Sequence, residues 1–457
     1  MRILPDPGTC EDGAVTRLFG TDGIRGVANK DLTPDLVLAL GRAAGEVLCS
    51  DDSRKVVVGR DTRLSGPMLE AALVAGLCSA GADVALIGIA PTPAVAHLTR
   101  VARAAAGAVI SASHNPVEDN GIKFFDSEGV KLGESTERAI EKALESPSSD
   151  LPTGSGVGSA EGWNEASDRY VDYLLHSVSQ PLDGLRVVVD CAFGAAWRIG
   201  PRVFREAGAE VAVLHAEADG ARINVDCGST NMAELARTVR TEGADVGFAF
   251  DGDADRVLAV DETGMEVDGD RLLGMTALRW REENRLTNNS VVATVMANLG
   301  FKRALEERGV AVIAALVGDK HVAQAMSEHG VVLGGEQSGH LIFGSHATTG
   351  DGILTALQIA EQLISSDEPM SKLAHFYEPF PQVLLNVRVG DRDRLDSAED
   401  VWAAVREAET GLGDDGRVLV RASGTEPIVR VMVEAADEAT ARTTAERLAA
   451  TVETALA

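Results

Sequence analysis

Three aspartates at alternate positions, Asp251, Asp253 and Asp255 in "FAFDGDADRV", follow an apolar run. A loop of that spacing can fold back so that its carboxylates converge. Three converging carboxylates repel one another unless a hard divalent cation lies between them, and an all-oxygen donor set suits Mg2+. The spacing also matches the start of a calcium EF-hand loop, with Glu262 at the twelfth position. Arg256, however, stands where that loop needs glycine, and a strand leads in instead of a helix, which rejects the EF-hand. The competing structural reading is a solvated acidic turn.

Other loops carry complementary chemistry. "SASHNP", residues 111–116, closes on Pro116, which biases Asn115 towards an extended backbone and holds Ser113 and His114 outward. The following "EDNG" reads as an Asn-Gly turn and "IKFFDSEGVKL" as a hairpin. "LGGEQSGHLIFG", residues 333–344, sets Glu336, Ser338 and His340 on a glycine-flanked turn suited to sugar hydroxyls or an amine. "LVRASGTEPIVR", residues 419–430, gathers Arg421, Ser423, Gly424 and Thr425 into an anion cradle, with Arg430 nearby. Arg25 in "FGTDGIRG" and Arg60 and Arg63 in "GRDTRLSG" are ordinarily surface arginines, but their glycine-rich loops single them out in so acidic a chain. Each loop alone could be only a structural turn. Together, a metal loop, a phosphate cradle, a hydroxyl-reading loop and an exposed serine combine as phosphoryl transfer to or from a sugar. The Ser113 hydroxyl would carry the phosphoryl group beside Mg2+ held by the three aspartates.

The elements that must position these loops repeat. "RKVVVGRDTR", "LEAALVAGLCSA" and "GADVALIG" read as strand, helix and strand. "LRVVVDCAFGAA", "GPRVFREA" and "GAEVAVLH" repeat the order, as do "NSVVATVMANLG", "FKRALEER" and "GVAVIAAL". The expected class is α/β: three similar α/β domains with mixed, largely parallel sheets, plus a smaller C-terminal α+β domain, around a central cleft. The linker-like "SPSSDLPTGSGVGSAEG" at 146–162 helps to set the expected segments: 1–158 with the serine loop, 159–259 with the metal loop, 260–369 with the sugar loop and 370–457 with the phosphate loop. Sheets of this kind present ligands at the carboxyl ends of their strands, where these loops fall.

Composition narrows the partners. A net charge of −28 argues against duplex nucleic acid or an anionic membrane. No apolar run is long enough to span a bilayer, and the N-terminus lacks the apolar stretch of a secretory signal, so the expectation is cytoplasmic. The five cysteines, Cys10, Cys49, Cys78, Cys191 and Cys227, form no CxxC pair and read as core residues or free thiols.

"FGTDGIRG", "ISASHNPVEDNGIKFF", "FDGDADR", "GGEQSGH", "TTGDGILTALQ" and "RASGTEPIVRVMVE" together resemble the α-D-phosphohexomutase superfamily, over about Phe19 to Glu434. Gln337, where the phosphomannomutase/phosphoglucomutase branch typically has Met, points to the branch acting on glucosamine phosphates. "INVDCGST" and "PQVLLNVRV" point the same way. The resemblance implies a phosphoserine at Ser113 and one Mg2+ bound by that group with Asp251, Asp253 and Asp255. It implies that Glu336 and Ser338 grip the sugar, and that Arg421, Ser423, Gly424, Thr425 and Arg430 hold the phosphate not being transferred. Lys123 and His340 become candidates for proton transfer, with Arg25 and Arg256 in support. The implied reaction interconverts glucosamine 6-phosphate and glucosamine 1-phosphate through glucosamine 1,6-bisphosphate, in a monomer or homodimer. The product would feed UDP-N-acetylglucosamine. The phosphomannomutase/phosphoglucomutase branch is the alternative. Ala254 replaces a glycine common in the metal loop, Leu316 replaces a residue that is often polar or basic, and the roughly 18 residues before Phe19 read as an extension.

Overall fold

The computed structural model describes residues 17–20, 22–50, 52–423 and 428–457. Most of the N-terminal extension, and Gly424 and Thr425 of the expected cradle, lie outside the described residues. The chain divides into two compact units: residues up to Met296 with Val312–Ala374, and Ala297–Ala311 with His375–Ala457.

The first unit holds three sheets. One comprises β1 (Ile24–Val27), β2 (Lys55–Arg60), β3 (Asp83–Ile89), β4 (Ala106–Ile110), β5 (Asp119–Phe125) and β6 (Ala160–Gly162), in the order β1-β5-β4-β2-β3-β6. The next has β7 (Arg186–Asp190), β8 (Glu210–Leu214), β9 (Val246–Phe250), β10 (Val257–Asp261) and β11 (Glu266–Val267), in the order β11-β10-β9-β7-β8. The third has β12 (Ser290–Thr294), β13 (Ala311–Ala315), β14 (Leu333–Gly335) and β15 (Leu341–Phe343), in the order β13-β12-β14-β15. The valine-rich runs of β2, β7 and β12 are buried almost throughout, as strands covered on both faces must be. Each sheet then reverses direction at one edge: β5 is antiparallel to β4, β10 to β9 and β15 to β14.

The second unit is a three-stranded antiparallel sheet of β16 (Gln382–Arg388), β17 (Gly416–Ala422) and β18 (Ile428–Ala435), in the order β16-β18-β17. Alternate valines of these strands pack on the helices Glu399–Leu412 and Glu438–Ala455. The helix Leu299–Glu307 joins this unit through Glu434, which accepts from the Leu299 N–H (3.0 Å) and from Arg417 Nε (2.5 Å).

Two local expectations are corrected. Asn120 and Gly121 lie inside β5 and form no turn, because strand pairing with β1 overrides the dipeptide's preference. Ala160–Gly162, within the stretch read as a linker, pairs in parallel with β3 and extends the first sheet. Among the described residues no helix is long and apolar enough to cross a membrane, and Cys49, Cys78, Cys191 and Cys227 are free thiols.

Candidate active site

The three chemistry-bearing loops of the first unit occupy one topological position. Each lies where a parallel strand gives way to its antiparallel neighbour: residues 111–118 between β4 and β5, 251–256 between β9 and β10, and 336–340 between β14 and β15. The fourth loop separates β17 from β18 in the second unit.

Ser113 is not presented outward as expected. It is 1% exposed because the aspartate loop covers it, and its Oγ donates to Asp251 Oδ2 at 2.5 Å. Its backbone is left-handed, with φ +52°. The Ser113 N–H donates to Ser111 Oγ (2.9 Å), which in turn donates to Asp61 Oδ2 (2.6 Å). His114 Nδ1 lies 3.3 Å from Ser113 Oγ and 3.1 Å from Arg256 Nη1. Burial, with Arg256 and Arg25 close by, pushes that imidazole down to about 4, so it is neutral near pH 7.

Asp251, Asp253 and Asp255 converge as their spacing predicts, with a carboxylate oxygen of each within 4.8 Å of the others, and all three are buried. Asp253 Oδ2 accepts from Thr92 Oγ1 (2.6 Å) and Lys123 Nζ (3.1 Å), and Asp255 Oδ2 lies 3.5 Å from Lys123. The remaining oxygen of Asp253 and of Asp255 is buried with no hydrogen-bond partner. Burial and then repulsion from the other two carboxylates push Asp251 well above the usual carboxylate range. Buried orphan oxygens in a self-repelling, all-oxygen cluster fit a hard divalent cation, and Ser113 Oγ lies within reach as a further oxygen donor. Glu262 accepts from Ser371 instead, consistent with the rejected EF-hand. Ala254 tolerates its place in the loop at φ +57°, leaving the carboxylates converged.

Lys123 is almost wholly buried. Burial opposes its charge, but Asp22 (2.9 Å), Asp253 and Asp255 outweigh it and hold the amine well above its ordinary pKa, so it is a fixed cation. Arg25 pairs with Asp22 and donates to Asn115 Oδ1 (2.9 Å). Lys131 bridges Asp22 (2.5 Å) and Asp319, and Asp319 Oδ2 is 3.5 Å from His340 Nε2. A continuous ionic path therefore joins the serine loop to the third loop. His340 is buried, and neither ring nitrogen makes a hydrogen bond. Glu336 Oε1 accepts from the Gly318 N–H (3.0 Å), and Ser338 is exposed on the same turn. Gln337 is turned to Asp268: its Nε2 donates to Asp268 Oδ2 at 3.2 Å.

In the second unit Arg421 and Arg430 face one another across the β17–β18 pair, and Ser423 is buried beside them. Burial and the charge of Arg430 lower the Arg421 pKa; opposed like charges of this kind favour an anion between them.

Arg63, which its glycine-rich loop singled out, is wholly buried, and its guanidinium donates to the carbonyls of Ser113 (3.0 Å), Asn115 (2.8 Å), Pro116 and Asp119 (2.9 Å). Arg60 does stay near the surface, half-buried, paired with Glu70. Asp22 sits in the quoted "FGTDGIRG" three residues before Arg25, a spacing that could have flagged it. Nothing local marks Lys131 or Asp319. A second donor group, Asp190, His215 and Cys227, is also within metal-ligand reach. Its carboxylate already accepts from the N–H groups of Ala192 and Gly228 and faces His215 Nδ1, and burial pushes the Cys227 thiol up to about 12, so it reads as a loop tie.

The chain matches the four domain models of the phosphoglucomutase/phosphomannomutase family: alpha/beta/alpha domain I over residues 16–150, domain II over 168–264, domain III over 268–380 and the C-terminal domain over 384–451. It is 53% identical over 451 residues to a phosphoglucosamine mutase of Frankia casuarinae, covering 97% of this chain and 99% of the relative. It is also 53% identical over 449 residues to a phosphoglucosamine mutase of Streptomyces avermitilis, covering 96% and 99%. A crystal structure of a phosphoglucomutase/phosphomannomutase family protein from Burkholderia thailandensis superposes with a TM-score of 0.82 at 27% identity, covering 96% of this chain and 97% of that one.

Proposed function

Because the chain belongs to the phosphoglucomutase/phosphomannomutase family, we propose that it catalyses the phosphoglucosamine mutase reaction, interconverting glucosamine 6-phosphate and glucosamine 1-phosphate through glucosamine 1,6-bisphosphate. The observation that carries this reading is the placement of Ser113 Oγ 2.5 Å from Asp251 within a buried three-carboxylate cluster, the serine and the carboxylates coming from different sheets.

Ser113 Oγ holds the phosphoryl group. A sugar hydroxyl oxygen attacks phosphorus, Ser113 Oγ leaves with the electron pair of the broken phosphorus–oxygen bond, and the hydroxyl proton passes to the unprotonated ring nitrogen of His340, which returns it in the second transfer. The second transfer forms and breaks the same bonds in reverse at the other end of the reoriented bisphosphate. Asp251, Asp253 and Asp255 would hold Mg2+, which supplies neutralisation of the phosphoryl oxygens when bound. Lys123, fixed as a cation by its aspartates, adds positive charge beside the transferring group, and Arg25 and Arg256 support it. Glu336 and Ser338 would grip the sugar. Arg421, Ser423, Gly424, Thr425 and Arg430 would hold the non-transferring phosphate. The segments 1–158, 159–259, 260–369 and 370–457 are offered as the domains of a cytoplasmic monomer or homodimer, with product directed to UDP-N-acetylglucosamine.

Peptide mass spectrometry of the purified protein should find one phosphoryl group on Ser113, and Ser113→Ala should abolish turnover while circular dichroism stays unchanged. A chelator should silence the enzyme and added Mg2+ restore it. Wild-type turnover in Ser113→Ala would defeat the serine assignment. Equal kcat/KM on glucosamine, glucose and mannose 6-phosphates would defeat the substrate assignment in favour of the alternative branch.

A further inference from the structure

The motif "INVDCGST" has no part in the chemistry above, yet one of its side chains reaches the reacting serine. Asn224 Nδ2 donates to the Ser113 carbonyl at 2.9 Å and approaches the Asn115 carbonyl at 3.4 Å. Only the amide nitrogen can face two carbonyls, so chemistry fixes which way round the amide lies. The same Ser113 carbonyl accepts from Arg63 on the other side. A Cβ added to Gly252 would sit 2.5 Å from that oxygen and 2.9 Å from Asn224 Nδ2. The serine is thus held by its carbonyl from two sides, with the Gly252 backbone close beside it.

The platform behind Asn224 is strained and tied. Ala192, Phe193, His215, Asn224 and Asp226 all have φ between +51° and +61°, as does Ser113 itself. Left-handed non-glycine residues persist only where surrounding contacts over-determine them, and they gather at functional sites. Here the contacts are identifiable. Asp190 accepts from the Ala192 and Gly228 N–H groups at 2.9 and 3.0 Å and meets His215 Nδ1 at 3.0 Å. The Asn224 N–H donates to the Ala192 carbonyl (3.0 Å). The groups facing His215 are Asp190 and Glu234, with the Phe193 ring tilted against it.

We propose that Asn224 is a positioning residue for phosphoryl transfer: its amide, carried on loops tied together by Asp190, holds the Ser113 carbonyl so that Oγ points at Asp251. This rests on the phosphoserine reading. A serine with a left-handed backbone swings its Oγ when its peptide rotates, so loss of the amide misaims the nucleophile while leaving Glu336, Ser338 and the three aspartates in place.

The test is steady-state kinetics of Asn224→Ala and Asn224→Asp beside wild type and Ser113→Ala, with Mg2+ saturating. Asn224→Asp keeps the shape but places an acceptor against two carbonyls. Both variants should lose about 100-fold in kcat, the cost of a misplacement near 1 Å, with KM for the sugar phosphate within about twofold, because no residue assigned to the sugar is altered. A variant that keeps wild-type kcat, or one whose loss lies in KM, overturns the proposal. If Asn224→Ala does not fold, Asn224→Asp alone decides. An inactive Ser113→Ala beside fully active Asn224 variants would sink this inference and spare the phosphoserine reading; an active Ser113→Ala would sink that reading itself.

Discussion

Replacing Arg63 by Met removes a guanidinium that is wholly buried and makes five side-chain hydrogen bonds, one to Asp61 and four to loop carbonyls. Met has nearly the right length and fills much of the space, so packing is largely preserved. What it cannot do is balance Asp61, also wholly buried, whose remaining donors are Ser111 Oγ and the residue-63 N–H. Leaving one partner of a buried pair uncompensated costs about 3–5 kcal/mol. Each carbonyl stripped of its donor adds on the order of 1 kcal/mol, with overlap between them.

The pH dependence separates these contributions. Burial already raises the Asp61 pKa, Arg63 being the main force opposing it, so removing Arg63 raises it further. A raised folded-state pKa means the stabilising contribution is complete below the unfolded pKa and disappears as pH rises through the folded one. The deficit of Arg63→Met should therefore be largest at pH 8, about 5 kcal/mol, and shrink towards the carbonyl contribution, roughly 1–2 kcal/mol, near pH 4. Urea denaturation followed by circular dichroism at both pH values reads this directly. Asp61→Asn/Arg63→Met should recover most of the pH 8 deficit, since removing both charges leaves nothing uncompensated. Arg63→Lys should restore charge balance but not turnover, because one ammonium cannot span four carbonyls. A deficit that does not change with pH, or a double variant no better than the single one, would refute the electrostatic argument.

Gly252→Ala should fold but lose turnover by about 100-fold, because its Cβ would meet the Ser113 carbonyl at 2.5 Å and displace the serine; coupled assays of kcat at saturating substrate check it. Asp351, buried and bonded to the Tyr170 hydroxyl and the Leu354 N–H, is pushed up to about 6 by burial. Asp351→Asn should therefore gain about 2 kcal/mol on wild type between pH 4 and pH 7 in thermal or urea unfolding, as the wild-type carboxyl is forced to ionise. Ala254→Gly relieves a left-handed alanine at φ +57° while loosening the unfolded chain, so stability should change by less than about 1 kcal/mol and kcat not at all.

The parts of this structure written in local sequence were legible, and the parts written across it were not. The valine runs of β2, β7 and β12 declared buried strands, and the alternating aspartates declared a convergent loop, because period and spacing operate over a few residues. The loop of Arg63 singled it out, but its four carbonyl partners were not legible because they begin fifty positions downstream. Lys131 and Asp319 are 188 residues apart, and no local pattern marks either. Ser113 was expected outside because Pro116 and Asn115 turn its loop sharply; the Asp251 loop of another sheet buries it. Gln337 shows the subtler case. The resemblance gave its residue type weight in choosing a branch, but its amide is bound to Asp268, the N-cap of the helix Gly269–Glu282, so its bond runs to the loop's support.

The large negative charge of the chain and an anionic substrate are compatible for a reason the geometry supplies. Exposed carboxylates more than about 8 Å from a phosphate are largely screened at physiological ionic strength. Lys123 and Arg63 are buried and Lys131 is only slightly exposed, which shields them from that screening, and near a protein surface a unit charge at 4 Å still acts with about 4 kcal/mol. Local cations therefore outweigh the distant majority, provided they are held charged against the cost of burial. Asp22, Asp61, Asp253 and Asp319 do that holding. The acids at the centre of the first unit thus have two tasks, one set keeping the cations charged and the other converging beside the serine. Asp253, bonded to Lys123 through one oxygen and orphaned at the other, belongs to both. That shared residue is where charge retention and phosphoryl transfer become one requirement.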